Sequence, residues 1–470
     1  MNMHGIQHVI VLMLENRSYD HLLGYHPRVG TLHSRPESCP TTSGSTRLIE
    51  TTPEADGRLS VGPPHSHEEV MRQVTGTPVP ENVQASYSVP VPAPMNGFIE
   101  SYRSLDGAGS GVEIMRCFAP EEVPVLSKLA TDFVVFDRWF ASVPGETWPN
   151  RNFAHAGTSD GEVNIVRRLY DNNTIFDRLG EDWAIYHKGI PQVWAFRNLW
   201  KQRNRRFRGL GHLLHDIADD SLRAYSFVEP DHGLPPGEHG NSQHPHENEK
   251  SGRSFVAGEQ LIAEIYNALV ANPEVFDKTL FIITYDEHGG FFDHVPPVPM
   301  QPPTSVVTTG FDFAVSGVRV PAVAVNPRLK AETISVAVDH SAIPRTVRGL
   351  FAPTSPPLSN REAASPSVVD LMTWGPARAL APIPVPDLPE REWLLPAEAE
   401  EPLDDFQQSM VGLALVLQDE QGQPRTGEVE PDADAVLPPS PLERAAADGV
   451  MTVEASEQLS ALVSALQDDF

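Results

Sequence analysis

Cysteine is nearly absent from the sequence, which has only Cys39 and Cys117 among 470 residues. Two cysteines cannot build a disulfide framework, and without a pair at ligand spacing they cannot build a thiolate metal site. They are either free or joined in a single bond. Long apolar runs are also missing: no stretch approaches the roughly eighteen residues of a membrane-spanning helix, so we expect no transmembrane segment.

Basic residues are scarce relative to acidic ones, since 35 Lys and Arg stand against 63 Asp and Glu and the formal net charge is −28. This surplus repels phosphate backbones and anionic lipid surfaces, which argues against nucleic acid as a partner. An anionic substrate would therefore need a local positive centre. The hydrophobic content of 40% is too high for general disorder, so we expect a globular protein.

The N-terminus lacks the features of a signal peptide. Its short apolar run, residues 9–14, has no basic region before it and no cleavage site behind it. We therefore expect a protein that is cytoplasmic or exported without a visible leader. The sequence predicts no particular oligomeric state.

Four apolar runs predict strands of a parallel sheet. Their β-branched and aliphatic residues are typical of strands buried on both faces, and they cover residues 9–14, 133–136, 280–285 and 320–325. The clearest helical pattern runs from Ser254, as N-cap, to a stop at Pro273. Strands that alternate with helices indicate the α/β class.

The composition changes after residue 380. Residues 391–470 hold 18 acidic and three basic residues, with an apolar stretch at 410–417 and an amphipathic stretch at 450–466. The Pro- and Gln-rich segment between the two stretches is typical of a tether. We predict an α/β domain over residues 1–380 and a small acidic appendage, with a tether and a terminal helix, over residues 381–470.

Two of the predicted strands end in acid-rich pairs. Glu15 and Asn16 follow the first apolar run, and Asp286 and Glu287 follow the third. Ligands of α/β proteins bind beyond the carboxyl ends of the strands, where these pairs would meet. Converging carboxylates repel one another unless a cation lies between them, and an all-oxygen set suits a hard or borderline divalent ion. Either pair alone is equally consistent with a solvated strand end, but together they favour a metal site.

Thr147 is a candidate nucleophile. It follows a turn and precedes Pro149, which predicts Thr147 as the N-cap of a helix that has Pro149 in its first turn. A hydroxyl at a helix N-terminus lies beside free backbone N–H groups, which can bind a phosphate. A divalent ion would favour the alkoxide and polarise a phosphoryl oxygen. A threonine N-cap taken alone is more often structural.

Several histidines are candidates for the same site. His65 and His244 lie in irregular, proline-flanked segments, and His187, His288 and His340 are further candidates. Such side chains can donate hydrogen bonds to phosphoryl oxygens or protonate the departing alcohol. A loop histidine taken alone is more often a solvated surface residue.

Three motifs together resemble a known family. Residues 8–21, 149–151 and 285–295 are similar to the bacterial and fungal phosphoesterase family, which contains phosphatidylcholine-type phospholipases C and acid phosphatase A enzymes. The resemblance covers residues 5–350. It implies an alkaline phosphatase-like fold, in which helices flank a mixed, mostly parallel sheet.

The resemblance also implies roles for individual residues. The implied metal ligands are Glu15, Asn16, Asp286, Glu287 and Thr147. The implied catalytic residues are Thr147, which would form a covalent phosphoryl-enzyme, and the histidines His65 and His244. We assign substrate contacts to His187, His288 and Arg151. Threonine as the nucleophile resembles the phospholipase C branch of the family, whereas the acid phosphatase branch has serine.

The nucleophile segment departs from the common pattern of this family. Gly145 and Glu146 precede Thr147, where a proline often stands directly before the nucleophile. The segment also resembles the sulfatase pattern in which Cys or Ser precedes x-Pro-x-Arg. The β-methyl group of threonine blocks conversion to formylglycine, which disfavours a sulfatase. Arg151 is then either a structural partner of the turn or an auxiliary anion contact.

The sequence therefore predicts a metal-dependent phosphoesterase that is phospholipase C-like and acts through a phosphothreonine on Thr147. We expect one divalent ion, such as calcium or zinc, and a phosphate ester or phospholipid head group as substrate. The alternatives are an acid phosphatase-like phosphomonoesterase and a non-catalytic metal-binding module. Six basic residues within residues 197–208 form either a solvated helix face or a dock for anionic lipid or substrate.

Overall fold

A computed structural model describes most of the chain, namely residues 4–42, 44–55, 59, 61–79, 87–234, 240–245, 253–304, 310–389, 401–420 and 439–468. The described strands are β1 (His8–Leu14), β2 (Ser38–Pro40), β3 (Leu48–Glu50), β4 (Val134–Phe136), β5 (Trp139–Phe140), β6 (Trp183–His187), β7 (Phe207–Gly209), β8 (Tyr225–Val228), β9 (Thr279–Tyr285), β10 (Ala322–Val325), β11 (Glu332–Ile334), β12 (Val338–Asp339), β13 (Glu401–Pro402) and β14 (Val450–Met451).

The described α-helices are α1 (Tyr19–Leu23), α2 (His67–Thr75), α3 (Phe98–Arg103), α4 (Pro124–Asp132), α5 (Thr147–Ala156), α6 (Arg197–Trp200), α7 (Arg203–Arg206), α8 (Leu210–Ala218), α9 (Arg253–Ala271), α10 (Pro273–Lys278), α11 (Ala342–Phe351), α12 (Asn360–Ala364), α13 (Asp405–Glu420), α14 (Pro441–Asp448) and α15 (Val453–Asp468). Short 3₁₀ turns cover Glu113–Met115, Phe176–Arg178, Gln192–Ala195 and Val368–Asp370. Within the described part, no helix is both long and apolar enough to cross a bilayer.

An eight-stranded sheet forms the centre of the fold, in the order β11-β4-β10-β9-β1-β8-β6-β7. Neighbouring strands are parallel except on the two sides of β10, which runs antiparallel to β9 and β4. Helices α4 and α9 pack against each other, and α4 also packs on β10. The predicted α/β class, with a mixed and mostly parallel sheet flanked by helices, is confirmed.

All four predicted strands are present, but one prediction of their direction is wrong. The runs 9–14, 133–136 and 280–285 form β1, β4 and β9 in parallel orientation, whereas the run 320–325 forms the antiparallel β10. The described residues between β9 and β10 contain no helix that could carry the chain back across the sheet. An apolar run shows that both faces of a strand are covered, while the connection decides its direction.

The predicted start of the longest helix is also wrong. Ser254 lies inside α9, which begins at Arg253, so Ser254 is not an N-cap. The predicted end is correct, since α9 stops at Ala271 and Pro273 starts the next helix. Asn272 caps α10, and its side chain accepts a hydrogen bond from the Val275 N–H.

A second apolar cluster lies beside the main core. It packs Val70 and Val74 of α2 against Phe98 of α3 and Phe292, which follows β9. Burying each such aliphatic side chain contributes about 1.5–3 kcal/mol relative to exposure. The cluster therefore anchors α2 and the segment before it, which carries His65, to the segment that follows β9.

The C-terminal helices α13, α14 and α15 contact one another and share the main apolar core. Phe406 and Met410 of α13 and Leu466 of α15 are buried in the same cluster as the central sheet. The predicted tether lies between residues 417 and 450. Residues 421–438 of it lie outside the described residues, whereas Pro441–Asp448 form α14, so that part of the prediction is wrong. The predicted terminal helix is present as α15, although its first predicted residues form β14 instead. The domain boundary at residue 380 stays a prediction.

The basic segment 197–208 makes contacts within the chain. Arg203 donates from Nε to the Leu466 carbonyl at 3.0 Å, and Arg197 pairs with Glu420 of α13 and with Asp171. Two of its arginines therefore bind the acidic C-terminal helices. Neither cysteine is in a disulfide: Cys39 and Cys117 are buried free thiols.

Candidate active site

The ends of β1 and β9 bring the predicted acidic pairs together. The two strands are parallel neighbours with Leu14 opposite Tyr285, so the residues that follow them emerge side by side. Asn16 donates from its backbone N to Asp286 Oδ1 at 3.1 Å. Thr147 Oγ1 donates to Asn16 Oδ1 at 3.4 Å. Asn16 thus contacts both of the other segments that the sequence assigned to the site.

Close backbone packing in this region requires glycine. Gly289 has a φ of +63°, and a Cβ atom there would lie 2.3 Å from the Asn16 carbonyl oxygen. Gly290 has a φ of +73°, and its Cβ would lie 2.7 Å from the carbonyl oxygen of Pro64. The glycine pair therefore lets the turn after β9 touch Asn16 on one side and the His65 segment on the other.

Thr147 is the first residue of α5, and its predicted role as N-cap is wrong. Glu146 occupies the cap with an extended backbone, and its carbonyl accepts from the Asn150 N–H at 3.4 Å. Asn150 also stabilises the turn with its side chain, which accepts from the Val143 N–H and donates to the carbonyls of Gly145 and Glu146, each at 3.0 Å. Because Glu146 is the N-cap, the Thr147 hydroxyl does not cap the helix. It donates a hydrogen bond to Asn16 Oδ1 instead.

Arg151 lies one helical turn after Thr147 and is completely buried. Its Nε donates to Asp286 Oδ2 at 3.0 Å, and its Nη1 donates to Glu229 Oε2 at 3.0 Å. Its Nη2 donates to Glu15 Oε1 at 3.2 Å and to the Met13 carbonyl at 3.1 Å. These contacts favour the structural alternative for Arg151, and its assigned substrate contact stays a prediction.

The Glu15 carboxylate is paired with two basic side chains. One of its carboxylate oxygens accepts from Arg151, and the other accepts from His232 Nδ1 at 2.9 Å. Its role as a metal ligand stays a prediction. Of the five predicted ligands, the described hydrogen bonds link Asn16 directly with Thr147 and Asp286.

Glu229 and His232 belong to the buried network and were missed by the sequence analysis. Burial opposes ionisation of Glu229, but Arg151 and His232 lower its pKa to about 2. Burial also opposes protonation of His232, but Glu15 and Glu229 raise its pKa to about 9. A signal was available for Glu229, because it directly follows β8, the parallel neighbour of β1, as Glu15 follows β1.

The buried charges of this region do not balance. Among the described residues, four buried carboxyl groups follow the strand ends of this region: those of Glu15, Glu229, Asp286 and Glu287. Arg151 and His232 supply two positive charges. Burial, together with Glu15 and Glu287 and against Arg151, raises the pKa of Asp286 to about 7. The paired carboxyl groups therefore outnumber the paired cations of this described network, and a bound cation would compensate the excess of negative charge.

Glu287 has a buried carboxylate oxygen that is available to such a cation. Its Oε2 accepts from the Gly289 N–H at 2.7 Å and lies 3.1 Å from His288 Nδ1. In the described part of the chain, no hydrogen-bond donor reaches its buried Oε1. A buried carboxylate oxygen is costly to leave without a partner. With Asn16 and Thr147 it gives the oxygen-donor set that hard divalent ions prefer, so the residues fit a metal.

His65 and His244 lie at this site. His65 Nδ1 donates to the Pro63 carbonyl at 2.9 Å, and Asn16 Nδ2 lies 3.5 Å from His65 Nε2. The ring of His244 packs edge-on to that of His65 with 6.2 Å between their centroids. His244 Nδ1 lies 3.4 Å from Asp404 Oδ2. The two predicted catalytic histidines are thus neighbours, although their roles stay predictions.

The other histidines are held in different ways. His187 donates to the Gly189 carbonyl at 3.0 Å and packs against Trp194, and burial lowers its pKa to about 4. None of its hydrogen bonds or ring contacts in the described part reaches Thr147 or Asn16. Its substrate contact stays a prediction.

His288 and His340 support the turn after β9. His288 Nε2 lies 2.8 Å from Gln73 Oε1 of α2, which ties the turn to that helix. His340 Nε2 donates to the Asp286 carbonyl at 2.6 Å, and burial lowers the pKa of His340 to about 4. Both therefore position the acidic pair, and the substrate contact assigned to His288 stays a prediction.

A second group of ligand-type side chains lies nearby. Donor atoms of Asp20, Asp293 and His294 all lie within 4.8 Å of one another, which is compatible with a divalent ion. Arg319 pairs with both carboxylates, at 2.8 Å and 3.2 Å, and His294 pairs with Asp20 at 2.6 Å. Asp20 and Asp293 are therefore already paired with Arg319 and His294. By contrast, no donor in the described part of the chain reaches Glu287 Oε1.

Comparisons with known proteins find relatives of this chain. Residues 6–352 match the profile of the Phosphoesterase family. The chain is 34% identical over 451 residues to the non-specific phospholipase C6 of Arabidopsis thaliana, with 88% of this chain and 81% of the relative covered. It is 25% identical to the hemolytic phospholipase C of Pseudomonas aeruginosa, with 74% of this chain and 53% of that protein covered. Relatives thus occur in plants as well as bacteria, so the expected restriction to bacteria and fungi is not confirmed.

Solved structures show weaker similarity. A crystal structure of a protein in the alkaline phosphatase superfamily from Vibrio parahaemolyticus is 14% identical and has a TM-score of 0.33. The match covers 52% of this chain and 64% of that one.

Proposed function

The chain belongs to the Phosphoesterase family and is a hydrolase of phosphate esters, and we propose that its reaction is of the phospholipase C type. The observation that carries the proposal is the buried Thr147 hydroxyl, which lies at the start of α5 and 3.4 Å from Asn16 Oδ1. Relatives named phospholipase C support a phospholipid as the substrate.

In the proposed reaction, the Thr147 hydroxyl gives up its proton to solvent water and its Oγ1 attacks phosphorus. A bond forms between this oxygen and phosphorus while the bond to the diacylglycerol oxygen breaks, and His65 or His244 gives a proton to that oxygen. The threonine ester that remains carries the phosphorylated head group. Water then attacks phosphorus and gives one proton to the imidazole that had lost one. The bond between phosphorus and Thr147 Oγ1 breaks, the phosphorylated head group leaves, and the Thr147 oxygen takes up a proton from solvent. Backbone N–H groups at the start of α5 stabilise the phosphoryl oxygens.

A divalent cation is part of the proposal. Asn16, Thr147, Asp286 and Glu287 would hold it, since they supply hard oxygen donors in a region with excess negative charge. When bound, the ion would favour ionisation of the threonine hydroxyl and withdraw charge from a phosphoryl oxygen. Arg151 keeps Glu15 and Asp286 in place through its hydrogen bonds.

A substrate comparison tests the type of reaction. We expect phosphatidylcholine in mixed micelles to yield diacylglycerol and phosphocholine, with a kcat/KM that exceeds that for p-nitrophenyl phosphate by more than about tenfold. Products are measured by chromatography of both phases. Turnover of the monoester alone would support the acid phosphatase-like alternative, and bound metal without turnover of either ester would support a non-catalytic module.

Metal content tests the ligand set. We expect about one divalent ion per chain by elemental analysis, and Glu287→Gln should bind it at least about tenfold more weakly because a charged ligand is lost. His294→Gln is the matched control and should retain the ion. An active, metal-free preparation would refute the metal site, and loss of the ion in His294→Gln alone would place it at Asp20 and Asp293 instead.

A further inference from the structure

The start of α13, far away in the sequence, lies against the candidate active site. Asp404 Oδ2 lies 3.4 Å from His244 Nδ1. The ring of Phe406 lies 4.2 Å from that of His232, and the Arg151 guanidinium lies 5.8 Å from the centre of the Phe406 ring. Gln407 Nε2 donates to the His232 carbonyl at 2.8 Å. Asp404, Phe406 and Gln407 of the acidic C-terminal part thus line the site.

Asp404 is held rigidly at this position. Its Oδ1 accepts from the Gln407 N–H at 2.7 Å, and the Gln407 side chain accepts in return from the Asp404 N–H at 3.2 Å. This reciprocal pair is a capping box, which fixes both the helix start and the side-chain rotamer. One carboxylate oxygen therefore caps α13 while the other faces His244.

The helix that carries Asp404 is firmly attached to the rest of the chain. Met410 and Leu413 of α13 are fully buried in the main core. Arg167 donates from Nη1 to the Ala446 carbonyl at 2.8 Å, and its Cδ lies 2.5 Å from the place that a Cβ on Gly412 would take. The position of Asp404 relative to His244 is therefore set by core packing.

The two neighbouring histidines are in different environments. His65 Nδ1 donates to a carbonyl oxygen, which leaves its Nε2 in the form that accepts, and Asn16 Nδ2 lies beside it. The Asp404 carboxylate lies beside His244 Nδ1, and its negative charge favours the protonated imidazole. A protonated imidazole can donate to a leaving oxygen, whereas an accepting nitrogen cannot.

We propose that His244 is the residue that protonates the leaving alcohol and that Asp404 is its positioning residue, so that the C-terminal helices complete the active site. The inference rests on the proposed function. As the bond between phosphorus and the diacylglycerol oxygen breaks, the proton on His244 Nε2 passes to that oxygen. The water that later attacks phosphorus gives its own proton back to His244. Asp404 takes no part in bond making and acts only through the imidazole.

Asp404→Asn tests this inference with two substrates. Asparagine is nearly isosteric and also a good N-cap, so α13 keeps its start while the charge is lost. We expect kcat on phosphatidylcholine to fall about 10- to 100-fold with KM within about threefold, because its alkoxide leaving group needs a proton. On p-nitrophenyl phosphorylcholine, whose phenolate leaves without one, the fall should stay within about threefold.

The ratio of the two rates does not depend on how much of the variant is folded. It therefore tests the role of Asp404 even if the variant is less stable than the wild type. Equal losses on both substrates, or none on either, would overturn the inference. In a His244→Ala background, adding Asp404→Asn should have no further effect. Asp419→Asn, at the exposed far end of α13, is the matched control and should leave both rates unchanged. A wild-type protein inactive on both substrates would instead refute the proposed function.

Discussion

Thr147→Ala is expected to lower kcat on phosphatidylcholine by about a thousandfold or more, because the variant has no oxygen that can attack phosphorus. Thr147 is completely buried, and its Oγ1 donates to Asn16 Oδ1 at 3.4 Å. The loss of one neutral hydrogen bond costs about 1 kcal/mol, so the variant should remain folded. The rate of diacylglycerol release, measured beside a thermal melt, separates lost chemistry from lost structure.

Thr147→Ser is the matched control for this prediction. It restores the hydroxyl without the methyl group, and we expect it to keep kcat within about tenfold of the wild type. Intact mass after acid quenching should show the phosphorylated head group on the wild type and on the serine variant, but not on Thr147→Ala. Turnover by Thr147→Ala near the wild-type rate would exclude the covalent route.

Strand ends were the part of the site that could be inferred from local sequence. An apolar run followed by Glu15 and Asn16 indicates a strand and the polar residues at its end, and the same holds for Asp286 and Glu287. The expectation was that these two pairs would meet, and the pairing of β1 with β9 places them side by side. The sequence did not identify Glu229 as a residue at a strand end. Strand β8 has only four residues and includes Ser226, so its apolar signal is weak.

Contacts between distant segments could not be inferred in this way. His244 and Asp404 are separated by 160 positions, and no local pattern connects them. The acidic composition after residue 380 predicted an appendage, but composition does not show which apolar residues enter the main core. Met410 and Phe406 do so, because α13 presents them to the same cluster as the sheet.

The role of Arg151 also depends on contacts between distant segments. Its place in the chain suggested either a partner of the turn or an anion contact, and only the fold shows which acids surround it. Glu15, Glu229 and Asp286 come from the ends of three adjacent strands, β1, β8 and β9, and they meet at one guanidinium. A planar side chain with several donors suits such a set better than any other cation.

Arg151→Met should therefore destabilise the fold strongly. The substitution keeps most of the apolar volume but removes the guanidinium that pairs with three buried carboxylates, of which Glu15 and Glu229 keep His232 as a partner. Removing one member of a buried ion-pair network costs about 3–5 kcal/mol, because the partners stay buried without compensation. We expect this loss in the free energy of unfolding, measured by chemical denaturation.

Arg168→Met is the matched control, since it makes the same chemical change at a partly exposed arginine that pairs with Asp160 and Glu162. Such a pair contributes at most about 1 kcal/mol, so the control should unfold almost as the wild type does. Adding Glu229→Gln to Arg151→Met should recover part of the lost stability, because it removes one of the uncompensated charges. If Arg151→Met were as stable as Arg168→Met, the three carboxylates would not depend on Arg151, and its guanidinium would be available for the substrate contact that the sequence suggested.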